Sequence, residues 1–504
     1  MECAMVKDVF KLMFLGKELY MRQIETEIVV IAAGPSGLAA AAQAAENGAR
    51  VVVLEKNSTV GGAANMGMGP LGIGTRQQKS MMVDISVERA FKMFMEYTHW
   101  RVDATLVKRY FENSANTITW LEEMGVQFAG AYKYFPKSEQ TWHIVAVNGG
   151  IGRNGGAIMN KAIMEYAREH GVEFYLETPA QRILTDGQGK VCAVIGRGPE
   201  GEETEFRCKA VVVATGGAGD NPEMIKERTG YSYKEDMFNF AIPGLKGDGI
   251  RMACEAGAAT TDMTVEMIYI LPHSDTGPDS VPAVLMQPNL MVNQLGKRFI
   301  NEEEMQNNTF TGNAIAIQKG RVGYSIIDST ILKGYKRNGL DVINFVHDPD
   351  DVSDFDEVVE DYILQGNPDI IKADSIEELA EKLGIVPEAL LDTVDEYNDM
   401  CDRSDELFFK NKTYMKPVVK APFYAGCFRP SAYGTLGGIK INDRAEVLDK
   451  EWLPVPGLYA AGTDTCTIYG DSYMFLLPGN TMGYCLNTGR FAGESAAEYV
   501  RAEE

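Results

Sequence analysis

Apolar and polar positions first fall into a clear register between residues 28 and 56. Residues 28–32 form an apolar run that reads as a buried strand. Ala33-Gly34-Pro35-Ser36-Gly37 is a tight Gly-rich turn, and residues 38–47 read as an Ala-rich helix closed by Gly48. A second buried strand follows at 50–54 and ends at Glu55. Strand, turn, helix and strand make a βαβ unit. Helical periodicity continues over 84–124 through Val87, Phe91, Phe94, Leu106, Tyr110, Ile118 and Leu121. A second Gly-rich turn at 148–157 opens a helix over 158–170. Strands are expected at 172–176, 180–185 and 191–197. Residues 209–215 read as another buried strand, ending in Gly216-Gly217, and Gly247-Asp248-Gly249 opens a helix.

Near residue 267 the pattern changes. Pro272, Pro278, Pro282 and Pro288 mark irregular structure, a hairpin-like turn covers 293–296, and 341–361 is acidic and loop-rich. Ser375 and Glu378 form a capping box for a helix that stops at Gly384, and Pro387 opens the next. This stretch reads as a mainly helical unit with some sheet, inserted into the first. The strand-and-glycine pattern of the N-terminal half returns in a strand at 438–441, a buried strand at 457–462, a loop at 470–483 and a helix over 481–499. The expected fold is α/β: a Rossmann-like domain with an inserted α+β clamp. Its parts are an N-terminal extension at 1–23, a nucleotide-binding part at 24–267, the insertion at 268–433, and a second nucleotide-binding part at 434–504.

The first turn carries the chemistry. Gly34 lets the backbone approach a pyrophosphate, Gly37 lets the helix pack close to the sheet, and the free N–H groups at the helix start face the phosphates. Glu55 lies 21 residues after Gly34, where a carboxylate can accept hydrogen bonds from ribose hydroxyls. The first fingerprint glycine is replaced by Ala32, the mildest replacement. Lys56 and the glycines that follow, Gly61 and Gly62 with Ala63, would let a loop lie against a flat cofactor. The Thr-Gly-Gly after the strand at 209–215 suits a second backbone contact at Gly216.

Composition narrows the partners. At 504 residues the chain is too long for one ordinary core. Its formal charge of −23 disfavours nucleic acid and anionic membrane surfaces. The eight cysteines include no C-x-x-C pair, so no metal or iron–sulfur site is expected, and scattered thiols fit a reducing, cytoplasmic setting. No apolar run approaches the length of a membrane span. The first 20 residues mix Val, Phe, Leu and Met with Lys, Asp and Glu, which reads as a short amphipathic helix rather than a signal peptide, or as an extension upstream of a start at Met21.

Taken in order, VVIAAGPSGLAAA, VVVLEK, Gly61-Gly62, VVVATGG, GDGIRMACEAGA, GKRFINE, GLYAAG and PGNTMGYCLNTGRFAGESAA resemble the FAD-dependent fumarate reductase / 3-ketosteroid dehydrogenase family. The resemblance spans about residues 25–500. It implies non-covalent FAD, a mobile clamp, and a small-molecule substrate held between the two domains. It also implies hydride transfer between flavin N5 and a carbon–carbon bond activated by a carbonyl. By position it puts Ala32, Gly34 and Gly37 at the pyrophosphate and Glu55 at the ribose, with Ser36 and Lys56 among the further cofactor contacts. Gly61, Gly62 and Ala63 would lie beside the flavin, and Ala180 at the adenine. Gly216, Asp248, Gly462 and Asp464 join the cofactor contacts. Gly479, Asn480 and Thr481 place a helix N-terminus by the flavin N1/C2 carbonyl, where its dipole and N–H groups stabilise reduced flavin.

The sequence departs from fumarate reductases at the substrate. The proton-donating arginine of that pattern falls at Gln306 and the carboxylate-clamping arginine at Tyr473. Losing both removes the bidentate pairing that a dicarboxylate needs. A histidine of the pattern is replaced near Tyr433, and His273 matches a substrate histidine. Tyr473 matches the ketosteroid pattern, in which a tyrosine polarises a ketone. Around it Tyr433, Tyr469, Met474, Phe475, Leu476 and Leu477 suit a neutral, multi-ring substrate such as a steroid, bile-acid derivative or flavonoid. The expected catalytic residues are Tyr473, His273 and Tyr433, with Tyr433, Tyr269 and Gln306 as candidate proton donors. The reading is a flavin ene-reductase fed by an external donor such as NAD(P)H or a redox protein. The alternatives are a desaturating ketosteroid-type dehydrogenase, a reductase of a small unsaturated acid, and an electron-transfer subunit of a complex.

Overall fold

The computed structural model describes residues 22–239, 242–273, 278–343, 349 and 351–503. The extension expected at 1–23 lies outside them, apart from Arg22 and Gln23, which open an edge strand.

The frame consists of nine elements. They are β1 (Ile28–Ile31), α1 (Pro35–Glu46), β2 (Val51–Leu54), β3 (Glu173–Tyr175), β4 (Ala210–Val213), β5 (Thr264–Ile270), β6 (Phe423–Gly438), β7 (Pro454–Ala460) and α2 (Asn480–Ala502). The strands β3, β2, β1, β4 and β7 lie side by side and parallel, and the short strand Glu446–Leu448 closes the β7 edge antiparallel. β1, β2 and β4 are apolar throughout because both faces of a parallel sheet are covered. A second sheet, of Arg22–Glu25, Glu203–Arg207, Val191–Arg197 and Ala180–Thr185, flanks the first.

Two helices cover the sheet at van der Waals limits. A Cβ on Gly489 of α2 would stand 2.3 Å from the Ser36 carbonyl oxygen, and one on Gly493 would stand 2.3 Å from that of Ala40. The alanines of α1 and the glycines of α2 therefore seat backbone against backbone. The chain's last helix is in this way locked to the helix of its first βαβ unit.

The insertion has its own core, from Leu271 and Leu285 to Phe355, Leu390 and Phe428. It is more β-rich than its prolines suggested. Its spine is β6, whose 16 residues pair with β5, Gly323–Asp328, Ile370–Ala373 and, at the far end, Thr465–Cys466. The boundaries expected at 267 and 433 fall inside β5 and β6. These two strands pair with each other and run unbroken from one core to the other.

Candidate active site

The turn between β1 and α1 is built for a close approach. Gly34 caps α1, and a Cβ there would meet nothing within 4 Å. A Cβ on Gly37 would strike the Ala32 carbonyl oxygen at 2.0 Å. Ala32 itself takes φ = +80°, so the backbone does demand what the missing glycine would give freely. Gly62 lies 3.6 Å, measured from its would-be Cβ, from the Gly34 Cα, and the Gly61 N–H donates to the Ala33 carbonyl at 2.7 Å. Ala63 follows in the 3₁₀ turn Gly62–Met66. The buried Glu55 carboxylate accepts the N–H groups of Ala33 and Asn57, both at 2.8 Å, which fixes the turn to the end of β2. The Thr178 N–H donates to the Glu55 carbonyl at 2.8 Å, which ties the stretch leading to Ala180 to the end of β2.

The C-terminal part closes over this turn. A Cβ on Gly462 would stand 2.4 Å from the Ser36 Oγ. Asp464, fully buried, accepts the Thr215 N–H and the Gly217 N–H and also the Thr215 hydroxyl. It thereby holds the Gly216 turn at the strand ends where open α/β sheets bind ligands. Lys56 donates to the Gly244 carbonyl and to Asp248, whose carboxylate is 3.1 Å away. Those two expected cofactor contacts are thus paired with each other.

The start of α2 is also tightly built. Gly479 (φ = +81°) has no room for a side chain against Pro70, Leu71 and Trp142. Asn480 is fully buried, and its Oδ1 accepts the hydroxyls of Tyr110 and Tyr469 at 3.1 Å. Its Nδ2 has no hydrogen-bond partner among the described residues. A buried amide donor left idle at the start of a 23-residue helix is what a flavin carbonyl would satisfy. A bare glycine turn and an unspent buried donor fit a bound dinucleotide.

Tyr473 reaches this helix start. Its phenol oxygen accepts the Thr481 N–H at 3.1 Å and shares a hydrogen bond with the Thr481 hydroxyl at 2.9 Å. Its ring packs on Tyr469 and Phe475, with centroids 5.0 and 4.9 Å away, and burial pushes its pKa well above the ordinary phenol value. The carbonyl of Tyr473 accepts the Tyr97 hydroxyl at 2.7 Å. Tyr433 lies where β6 bulges against β5. Val265 pairs with Thr435 and Met267 with Ala432, so Tyr433 and Gly434 together face the single residue Glu266.

The sequence reading missed Glu266. Its carboxyl is buried and takes the Thr481 hydroxyl at 3.2 Å. Burial, opposed by that hydrogen bond, pushes it up to about 7. The available signal was a lone acid in the apolar run TVEMIYI, since unpaired carboxylates are rarely buried.

The other expected residues lie apart from this cluster. His273 stands beyond the end of β5, half-exposed, with Nδ1 2.8 Å from Asp369 Oδ2. Its partners among the described residues are Asp369, Asn367 and Phe238 rather than Tyr473. Tyr269 donates to the Met305 carbonyl inside the insertion core, and Gln306 donates to the Met286 carbonyl at 2.8 Å. Both are engaged as structural donors. Arg298 is buried between Glu302 and Asp405, with four hydrogen bonds of 2.8–3.0 Å, and so is not spare for a substrate carboxylate. Burial alone would raise the Asp405 carboxyl, but Arg298 and the N–H groups of Lys410 and Phe408 hold it well below its ordinary value. Asp405→Asn is expected to cost about 3–5 kcal/mol, because two buried cations, Arg298 and Lys410, would then share the one remaining carboxylate, Glu302. A fall in the urea midpoint would show this, and an unchanged midpoint would remove the structural role given to Arg298.

Among the described residues no group of His, Cys, Asp and Glu is placed to hold a metal, and no helix is long and apolar enough to cross a membrane. The FAD binding domain family matches residues 27–481. The chain is 31% identical to the vinyl phenol reductase of Lactiplantibacillus plantarum, over 95% of this chain and 97% of that protein. It is 27% identical to a cytochrome-type fumarate reductase of Shewanella frigidimarina, over 94% and 77% respectively. Among solved structures, the 3-ketosteroid-Δ4-(5α)-dehydrogenase of Rhodococcus jostii RHA1 in complex with 4-androstene-3,17-dione aligns with a TM-score of 0.76. That pair is 25% identical, over 96% of this chain and 99% of that one.

Proposed function

The chain belongs to the FAD binding domain family and is an FAD-dependent oxidoreductase of the branch acting on C=C bonds, and we propose that it reduces a carbonyl-activated C=C bond in a neutral, multi-ring substrate. FAD supplies the hydride when bound. The protein residues bind, orient and polarise. Ala32, Gly34, Ser36, Gly37 and Glu55 would hold the pyrophosphate and ribose end. Gly61 to Ala63 and the start of α2 would hold the flavin end, with Asn480 Nδ2 as a donor.

The observation that carries the substrate reading is the setting of Tyr473. Its oxygen accepts the Thr481 N–H, which leaves its own proton as the one it can give to a substrate. A phenol proton aimed at a carbonyl stabilises the enolate-like charge that develops as the β-carbon takes up hydride. The pairing of Arg298 with two buried carboxylates argues against a dicarboxylate substrate. A second reading, a phenolic styrene, is favoured by the 31% identity to a vinyl phenol reductase, and a phenol oxygen can take the same hydrogen bond. Electrons come from outside the chain in this reading, from NAD(P)H or a small redox protein.

The test is anaerobic stopped-flow absorbance of the reduced holoenzyme, mixed in turn with a 3-keto-4-ene steroid, an isoflavonoid, vinyl phenol, an aryl-acrylate and fumarate. Fast flavin reoxidation by a cyclic ketone is the expected result. Reoxidation by vinyl phenol alone would move the assignment to the second reading. Reoxidation by fumarate alone would overturn both.

A further inference from the structure

The hydroxyl of Thr481 stands between two groups. It is 2.9 Å from the Tyr473 oxygen and 3.2 Å from Glu266 Oε1. A hydroxyl has one proton to give, so it cannot donate to both. Which way it points depends on Glu266. If Glu266 is ionised it only accepts: Thr481 donates to it, and the Tyr473 proton can turn inward onto the Thr481 oxygen. If Glu266 is protonated it donates to the Thr481 oxygen, Thr481 donates to Tyr473, and the Tyr473 proton can only point away from the chain.

We propose that Glu266 sets the direction of this Glu266–Thr481–Tyr473 chain, so that Tyr473 offers its proton to the substrate carbonyl only when Glu266 carries a proton of its own. Glu266 is then a positioning residue that acts through Thr481. The proposal rests on Tyr473 being the carbonyl donor described above.

The surroundings of Glu266 suit a switch of this kind. It occupies the single-residue side of the bulge between β5 and β6, which aims one side chain away from the regular ladder. The titratable groups around it are Cys466, from the strand paired with β6, Tyr469 and Tyr473 from the loop before α2, Cys485 from α2, and Tyr433 opposite. Burial pushes the thiols of Cys466 and Cys485 and the phenols of Tyr469 and Tyr473 up, so those four are neutral across the working range. No cation is among the groups that shift Glu266. Burial dominates and raises it to about 7, the range in which its charge would change during an assay.

The sign follows. The protonated form is the active one, so the rate of flavin reoxidation by the ketone should hold at low pH and fall above pH 7. A full dependence on one proton gives roughly tenfold per pH unit. Glu266→Gln keeps an N–H donor facing Thr481 at every pH, so its rate should stay level where the wild type falls. Infrared difference spectra of the holoenzyme without substrate give a readout independent of turnover. A protonated-carboxyl C=O band should fade over the same pH range in the wild type and be missing in Glu266→Gln. If Glu266→Gln keeps the wild-type fall while Tyr473→Phe is slow, the proposal is overturned and the role of Tyr473 stands. A carboxyl band that is absent at a pH where the wild type is fully active overturns it as well. If Tyr473→Phe is as fast as the wild type, the carbonyl-donor reading fails and takes this proposal with it.

Discussion

Gly489→Val is expected to leave little folded protein and none that holds flavin. The added Cβ would stand 2.3 Å from the Ser36 carbonyl oxygen and 3.0 Å from the Ala39 Cβ. The first of these is backbone in a helix and cannot swing aside. α2 would have to move off α1, and overpacking of this sort costs about 1–3 kcal/mol, or more where the backbone itself must shift. The cost would not stay local. Ser36 lies in the cofactor turn and abuts Gly462, and α2 carries Asn480 and Thr481 at its start. The control is Gly187→Ala, where a Cβ meets nothing within 4 Å and which should be neutral. Gly34→Val separates folding from binding. Its Cβ also meets no protein atom, so the protein should fold yet show a weakened or absent flavin spectrum. Soluble yield, thermal melting and the visible spectrum read all three. A Gly489→Val protein that is yellow and melts like the wild type would mean the two helices are not locked as described.

The nucleotide-binding half was legible because its signals are local. A strand, a glycine turn, a helix and an acid at a fixed distance are all within one stretch of sequence, and β1, α1 and β2 appear within a few residues of where the pattern puts them. The replacement of the first glycine was readable as a substitution, but its backbone consequence, a φ of +80° at Ala32, was not. The longest strand was missed for a local reason too. β6 contains Pro430, Gly426, Gly434 and Gly437, which break up the strand pattern, so that only its last residue, Gly438, fell in an expected strand. What overrides them is pairing with strands far away in the chain, at Gly323–Asp328 and Ile370–Ala373. The same limit applies at the site. Tyr473 could be singled out by its place in a loop of known type. Glu266 lies far before Thr481 in the chain, and only the β5–β6 bulge and the start of α2 bring them together. His273 was legible as a matching position in sequence, but its pairing with Asp369, far away in the chain, was not.

Tyr473→Phe is the variant expected to cost most in rate while costing least in structure. Phenylalanine keeps the ring between Tyr469 and Phe475, and Thr481 retains Glu266 as a hydroxyl partner, so the variant should fold, bind FAD and melt within a few degrees of the wild type. What disappears is one donor aimed at developing negative charge in a buried, preorganised site. Loss of a single donor of that kind slows chemistry by about 10²–10³-fold. The loss should appear in the rate constant for flavin reoxidation at saturating ketone, with a smaller change in apparent affinity, because the hydrogen bond strengthens as charge builds on the oxygen. The Thr481 N–H, freed from the phenol oxygen, is the one nearby donor that could partly replace it, and that sets the lower end of the expected range. A loss confined to affinity would make Tyr473 a wall of the pocket instead of its electrophile. The carbonyl in the proposed substrate would then have no assigned partner, and the phenolic styrene reading would become the stronger of the two.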